Sequence, residues 1–117
     1  MDERILKWLY DVKLSIEEID SFFNEEEKDF FKYRSKLMLK RAVERNLEIV
    51  GEAINRIITR DNLFAEKISN AKAIIGLRNQ VIHAYDNISD ENIWSILINH
   101  LPKLKFEVDV LIREIEK

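Results

Sequence analysis

Cysteine is absent from this chain, which excludes disulfides, thiolate metal sites and cysteine nucleophiles. Proline occurs once, at Pro102, and glycine twice, at Gly51 and Gly76. That is too little turn chemistry for the many short strands of an all-β fold. No apolar run approaches the roughly eighteen residues of a membrane span. Neither sign of charge dominates: 19 basic and 22 acidic residues leave a net charge of −3, so the chain as a whole does not attract nucleic acid. Histidine is scarce, present only as His83 and His100.

What is present is 46% hydrophobic and 35% charged residues in a chain of 117. That length and balance fit one domain, residues 1–117, built from amphipathic helices. The class expected is all-α, an antiparallel bundle of four to five helices. Ile5, Leu6, Leu9, Val12, Ile16, Ile19 and Phe23 recur at helical spacing, predicting a first helix over Asp2 to Phe23. The segment Lys28 to Thr59, with its stripe Leu39, Ala42, Val43, Asn46, Val50, Ala53, Ile54 and Ile57, reads as one central helix. Its Gly51 weakens a helix interior and so points to close approach of a neighbour. Arg60 to Asn62 reads as a turn, Leu63 to Asn70 as a short helical piece, and Ala71 to Ala84 as a further helix. Ser89 is placed to cap a last helix, with Ile88 and Ile93 as its hydrophobic staple, and Pro102 predicts a bend over Ile98 to Leu101. The charged N-terminal stretch suggests a soluble, unexported, cytoplasmic protein.

Charge is segregated along the chain. Glu17 to Asp29 holds seven acids and one lysine, whereas Lys32 to Arg45 holds six bases and one acid. Lys36, Lys40, Arg41 and Arg45 are therefore candidates to line an RNA backbone, the other reading being a solvated face of intrahelical ion pairs. Glu44, Glu48 and Glu52 recur every four residues, but with bases interleaved and no histidine among them salt bridging is the expected use, and no metal site is assigned.

The run RNQVIHAY, Arg78 to Tyr85, concentrates the chemistry. Arg78 offers a planar fork suited to a phosphate, and His83 exchanges a proton near neutrality. Together they suffice for metal-independent RNA cleavage without a cofactor: a base removes the ribose 2′-OH proton, the oxygen attacks phosphorus, and a cation stabilises the phosphorane. On an α-helix Arg78 and Tyr85 share a face while His83 lies about 140° from the Arg. Either the helix loosens near Ile82, or a second chain completes the site. The second route also supplies a second histidine as the acid for the leaving oxygen.

With this motif in place, the chain resembles the HEPN superfamily, and within it the HepT toxins that pair with MNT-type minimal nucleotidyltransferases. The likeness extends over RAVERNLEIVGEAINRI (Arg41 to Ile57), GLRNQVIHAYDNISDENIW and HLPKL (His100 to Leu104). It implies an all-helical two-fold homodimer whose composite cleft holds two copies of the motif and acts as a ribonuclease toxin. Carried over by residue, Arg78 and His83 are the ribonuclease residues, Asn79 and Glu52 support them, and Glu52 is expected to contact Arg78. Tyr85 matches the tyrosine to which the partner nucleotidyltransferase antitoxin attaches AMP. The stretch NAKAIIGL before the motif holds no aromatic residue, and Ala84 stands where members often carry an acid.

The remaining candidates read as structural. Trp8 and Trp94 are expected to be core or dimer anchors rather than base-stacking platforms, and His100 a packing or surface residue. Phe22, Phe23, Phe30 and Phe31 flank the acidic turn as core, with a partner surface as the alternative. The competing functions are a non-catalytic adaptor subunit of a nucleotidyltransferase and a plain dimerisation module.

Overall fold

The computed structural model describes residues 2–23, 28–83 and 89–117, without the side chains of 80–83. Among these residues the regular structure is all helix, joined by short turns, with no strand. Helix α1 (Glu3–Ser21) starts at Asp2, whose carboxylate accepts the Arg4 N–H at 2.9 Å, the usual service of an N-cap aspartate. Its expected stripe is realised: Ile5, Leu9, Val12, Ile16 and Ile19 are all buried, each contributing roughly 1.5–3 kcal/mol of hydrophobic burial.

The predicted central helix is two helices, α2 (Phe30–Ser35) and α3 (Leu37–Arg60), parted at Lys36, which adopts an extended conformation (φ −111°, ψ 100°). Two features accompany the break, one local and one tertiary. The Ser35 hydroxyl donates to the Lys32 carbonyl at 3.1 Å, the competing local bond that makes serine a poor helix interior. The break also lets Tyr33 fold inward, fully buried, with its ring 5.5 Å from that of Trp94. Phe23 and Phe30 meet the same indole edge-on at 6.0 and 5.7 Å, so Trp94 is an aromatic core anchor as expected. Phe31 remains 74% exposed. Burial, with Glu44 and Asp90 nearby, raises the Tyr33 phenol above the ordinary tyrosine range, so the hydroxyl stays neutral.

After α3, Asp61 accepts the Leu63 N–H at 3.1 Å and turns the chain into the short α4 (Phe64–Lys67). Asn70, at φ 60°, then reverses it into α5 (Ala71–His83); asparagine tolerates this left-handed conformation better than most residues. Ser89 caps α6 (Asp90–Asn99) by accepting the Asn92 N–H at 3.2 Å. The expected partner in its staple, Ile88, lies outside the described residues. The predicted last helix is also two: α6 ends at His100, and α7 (Leu101–Ile115) begins with Pro102 in its first turn, where a missing N–H costs nothing. Seven helices among the described residues therefore replace the four to five expected.

Cross-links show the directions. Asp2 pairs with Arg60 and Glu18 with Asn46, so α1 runs antiparallel to α3. Tyr10 donates to Glu116 at 2.6 Å and Lys13 pairs with Asp109 at 3.2 Å, so α7 runs antiparallel to α1. Helices α1 and α5 both pack on α3.

The α5 crossing depends on Gly51. A Cβ placed there would stand 3.0 Å from Arg78 Cγ and 3.2 Å from the Ile74 carbonyl oxygen, and closer still to Arg78 Cβ. Gly51→Ala is expected to lower stability, because overpacking of about 1–3 kcal/mol exceeds the roughly 1 kcal/mol gained in helix propensity. Gly76, with nothing within 4 Å of the same construction, is the control: Gly76→Ala is expected to stabilise by up to about 1 kcal/mol. Urea unfolding of both variants checks this; equal gains at the two positions would contradict the close approach.

Candidate functional site

The close crossing at Gly51 brings Arg78 of α5 down onto α3, where Glu52 is the next residue along. Arg78 Nη2 lies 2.6 Å from Glu52 Oε2, with side-chain exposures of 26% and 35%. The contact expected of Glu52 is thus present. It is an ion pair rather than an aligned hydrogen bond, since Glu52 Oε2 has no hydrogen-bond partner among the described residues. Arg78 Nη1 donates to Asn79 Oδ1 at 2.9 Å. The buried Nε–H of Arg78 has no partner among the described residues.

Glu52 holds a second guanidinium: Arg56 Nε donates to Oε1 at 3.0 Å, one helical turn along α3. The carboxylate therefore bridges Arg56 and Arg78. Arg56 was not singled out from the sequence, although its i,i+4 spacing from Glu52 is the signal that could have found it.

Beside this bridge opens a cavity of about 290 Å³. Its floor is one stripe of α3, Arg45, Glu48, Ile49, Glu52, Ala53 and Arg56, recurring at intervals of three and four. Arg78 forms the α5 wall, and Trp8 and Asp11, three apart on α1, form the opposite one. Trp8 is half-buried at the edge of the core and so also faces the cavity, a placement not read from the sequence. An indole between two apolar positions of a helix looks like core until the neighbouring helices are in place.

The other candidates are distributed unevenly. Of the four candidate RNA contacts Lys36, Lys40, Arg41 and Arg45, Arg45 alone lines the cavity; it is 3.4 Å from Glu48. Arg41 pairs with Glu44 at 2.7 Å and Lys40 with Asp90 at 3.0 Å, while Lys36 is exposed at the α2–α3 joint. Each of Glu44, Glu48 and Glu52 carries an arginine, the use expected of that series, and no group of three metal-ligating side chains occurs among the described residues. His100 stands 3.4 Å from the Asn70 amide, away from the cavity.

The backbone of α5 remains helical through His83, so positions 78 and 83 lie about 140° apart around its axis. The side chain of His83 and all of Tyr85 lie outside the described residues, and the roles given to them rest on sequence. No helix among the described residues is long and apolar enough to cross a membrane.

Against this geometry, comparison with known proteins is informative. The family described as "Ribonuclease HepT-like" matches residues 12–111. Two proteins of Methanocaldococcus jannaschii are similar along nearly the whole chain. "Putative RNase MJ1380" is 37% identical over 95% of this chain and 100% of its own, and "Putative RNase MJ0127" is 33% identical over 93% and 88%. "Putative RNase TTE0752" of Caldanaerobacter subterraneus is 33% identical over 66% of this chain and 68% of its own. No solved structure matches. An all-helical chain whose α3–α5 crossing carries the Arg78 motif, matched by that family from within α1 to within α7, belongs to the HepT-like ribonuclease family of the HEPN superfamily.

Proposed function

We propose that this protein is the toxin of a HEPN/MNT toxin–antitoxin pair, a metal-independent RNA endonuclease that works as a two-fold homodimer. The observation that carries the reading is the Arg78 guanidinium, fixed by Glu52 and Asn79 at the wall of a cavity, in a chain of the HepT-like family. A donor already oriented before substrate arrives stabilises developing negative charge without reorganisation.

In the proposed reaction one His83 removes the 2′-OH proton of a ribose. The 2′ oxygen attacks the adjacent phosphorus, and Arg78 stabilises the phosphorane. The bond to the 5′ oxygen breaks as the second subunit's imidazolium protonates that leaving oxygen. The products are a 2′,3′-cyclic phosphate and a free 5′-hydroxyl. Continuity of α5 through His83 supports the shared arrangement over loosening of the helix near Ile82. Control lies with the partner nucleotidyltransferase: the Tyr85 phenolate oxygen attacks the α-phosphate of ATP, pyrophosphate departs, and the tyrosine carries AMP.

Purified protein with chelator present is expected to cut RNA, not DNA, leaving cyclic-phosphate ends. His83→Ala should lower the rate about 10²–10⁴-fold, and Arg78→Lys, which keeps charge but loses the fork, about 10²-fold or more. An intact rate in His83→Ala removes that residue from the mechanism. Inactive wild-type protein, harmless when expressed without its partner, returns the chain to the adaptor reading.

The shared site is tested by subunit mixing. If one histidine from each subunit is needed, activity of a re-equilibrated mixture of wild type and His83→Ala falls as the square of the wild-type fraction, whereas a linear decline means sites complete within one subunit. Mass spectrometry after treatment with the partner and ATP is expected to place the adenylyl group on Tyr85; modification of Tyr10 or Tyr33 instead rejects the assignment.

A further inference from the structure

Resting on the ribonuclease reading, we infer that the cavity between α1 and α5 holds one unpaired nucleotide of the RNA next to the scissile phosphate. Trp8 stacks on its base, and Glu48 selects bases that carry an exocyclic amine.

The charges lining the cavity argue for a nucleotide over a simple anion. Three guanidiniums, Arg45, Arg56 and Arg78, face three carboxylates, Asp11, Glu48 and Glu52. An inorganic phosphate would meet as much repulsion as attraction there. A nucleotide presents an anion at one end and hydrogen-bond donors at the other, which suits a cavity carrying both signs. The volume, about 290 Å³, sits at the small end of the roughly 300–1,000 Å³ typical of ligand sites. It fits a single nucleotide and excludes a duplex.

The placement of each wall assigns the parts. Arg78 stands on α5 with its side chain about a quarter exposed at the cavity wall, placed to meet the phosphate. Trp8 stands across the cavity on α1, half-buried and so held in place, and an indole face stacks on any nucleobase. Glu52 is committed to Arg56 and Arg78, and Asp11 accepts from Lys7 at 2.8 Å. Glu48, whose partner among the described residues is Arg45 at a looser 3.4 Å, retains acceptor capacity. A carboxylate accepts from the N4 amine of cytosine and is repelled by the O4 carbonyl of uracil. The cavity accordingly favours cytosine over uracil.

Binding of uncleavable 2′-O-methyl oligocytidine and oligouridine of equal length, followed by fluorescence anisotropy, tests this without requiring catalysis. Wild-type protein is expected to bind oligocytidine more tightly. Trp8→Ala should weaken both by roughly five- to hundredfold, with most affinity restored in Trp8→Phe. Trp8→Leu, which fills the space without a π face, should fold with an unchanged circular dichroism spectrum yet bind as weakly as Trp8→Ala. Glu48→Gln should narrow the preference for cytosine, because its amide removes the repulsion of uracil O4 and strengthens oligouridine binding. Equal affinity of wild type for the two oligomers overturns the selection, and wild-type affinity in Trp8→Leu overturns the stacking. This binding pattern in a protein that cuts no RNA keeps the nucleotide site and rejects the ribonuclease reading. Cleavage at an unaltered KM by Trp8→Leu does the reverse.

Discussion

The distance between two helix backbones governs this molecule. Where α5 crosses α3, Gly51 leaves no side chain in the gap, and the first carbons of the Arg78 side chain occupy the space a Cβ would need. The guanidinium is consequently delivered to the Glu52 carboxylate across a short reach, at 2.6 Å. Any residue with a Cβ at position 51 would push α5 outward, and the ion pair, the orientation of the fork and the cavity beside it would all shift. A packing constraint within the bundle and the geometry of the charged groups are thus one feature, because core interfaces resist gradual deformation.

Most of this arrangement could be read in advance where periodicity was strong. The buried stripes of α1 and α3, the cap at Ser89, the turn after Arg60 and the close approach at Gly51 all follow from local rules acting over one or two turns. The breaks at Lys36 and His100 were less legible, since each depends on what the chain folds against. Tyr33 turns inward because Trp94, sixty-one residues later, offers it an aromatic partner. Pro102 signals an interruption but not whether a helix bends or begins again, and here it sits in the first turn of a new helix.

The same division holds at the candidate site. Arg78 stands out from sequence as part of a motif and Glu52 through the family resemblance, whereas Arg56 and Trp8 join them only through tertiary placement. Arg56 is joined through the second oxygen of a shared carboxylate; Trp8 is joined because α1 packs along the opposite flank of α3. The basic run that suggested an RNA track divides on inspection. Arg45 faces the cavity, while Lys40 and Arg41 are engaged by Asp90 and Glu44. Linear charge density is a poor guide to surface potential once each base has met an acid on its own or an adjacent helix.

The carboxylate of Glu52 also acts as a resident competitor. On the proposed reading a phosphodiester shares the guanidinium with an anion already seated there, so charge alone gives a newcomer little advantage. By the same reading small inorganic anions, abundant in any cell, are held off by this tenant, and binding favours polymers that bring additional contacts along the groove. Discrimination of that kind requires no moving part; it is set when the bundle packs.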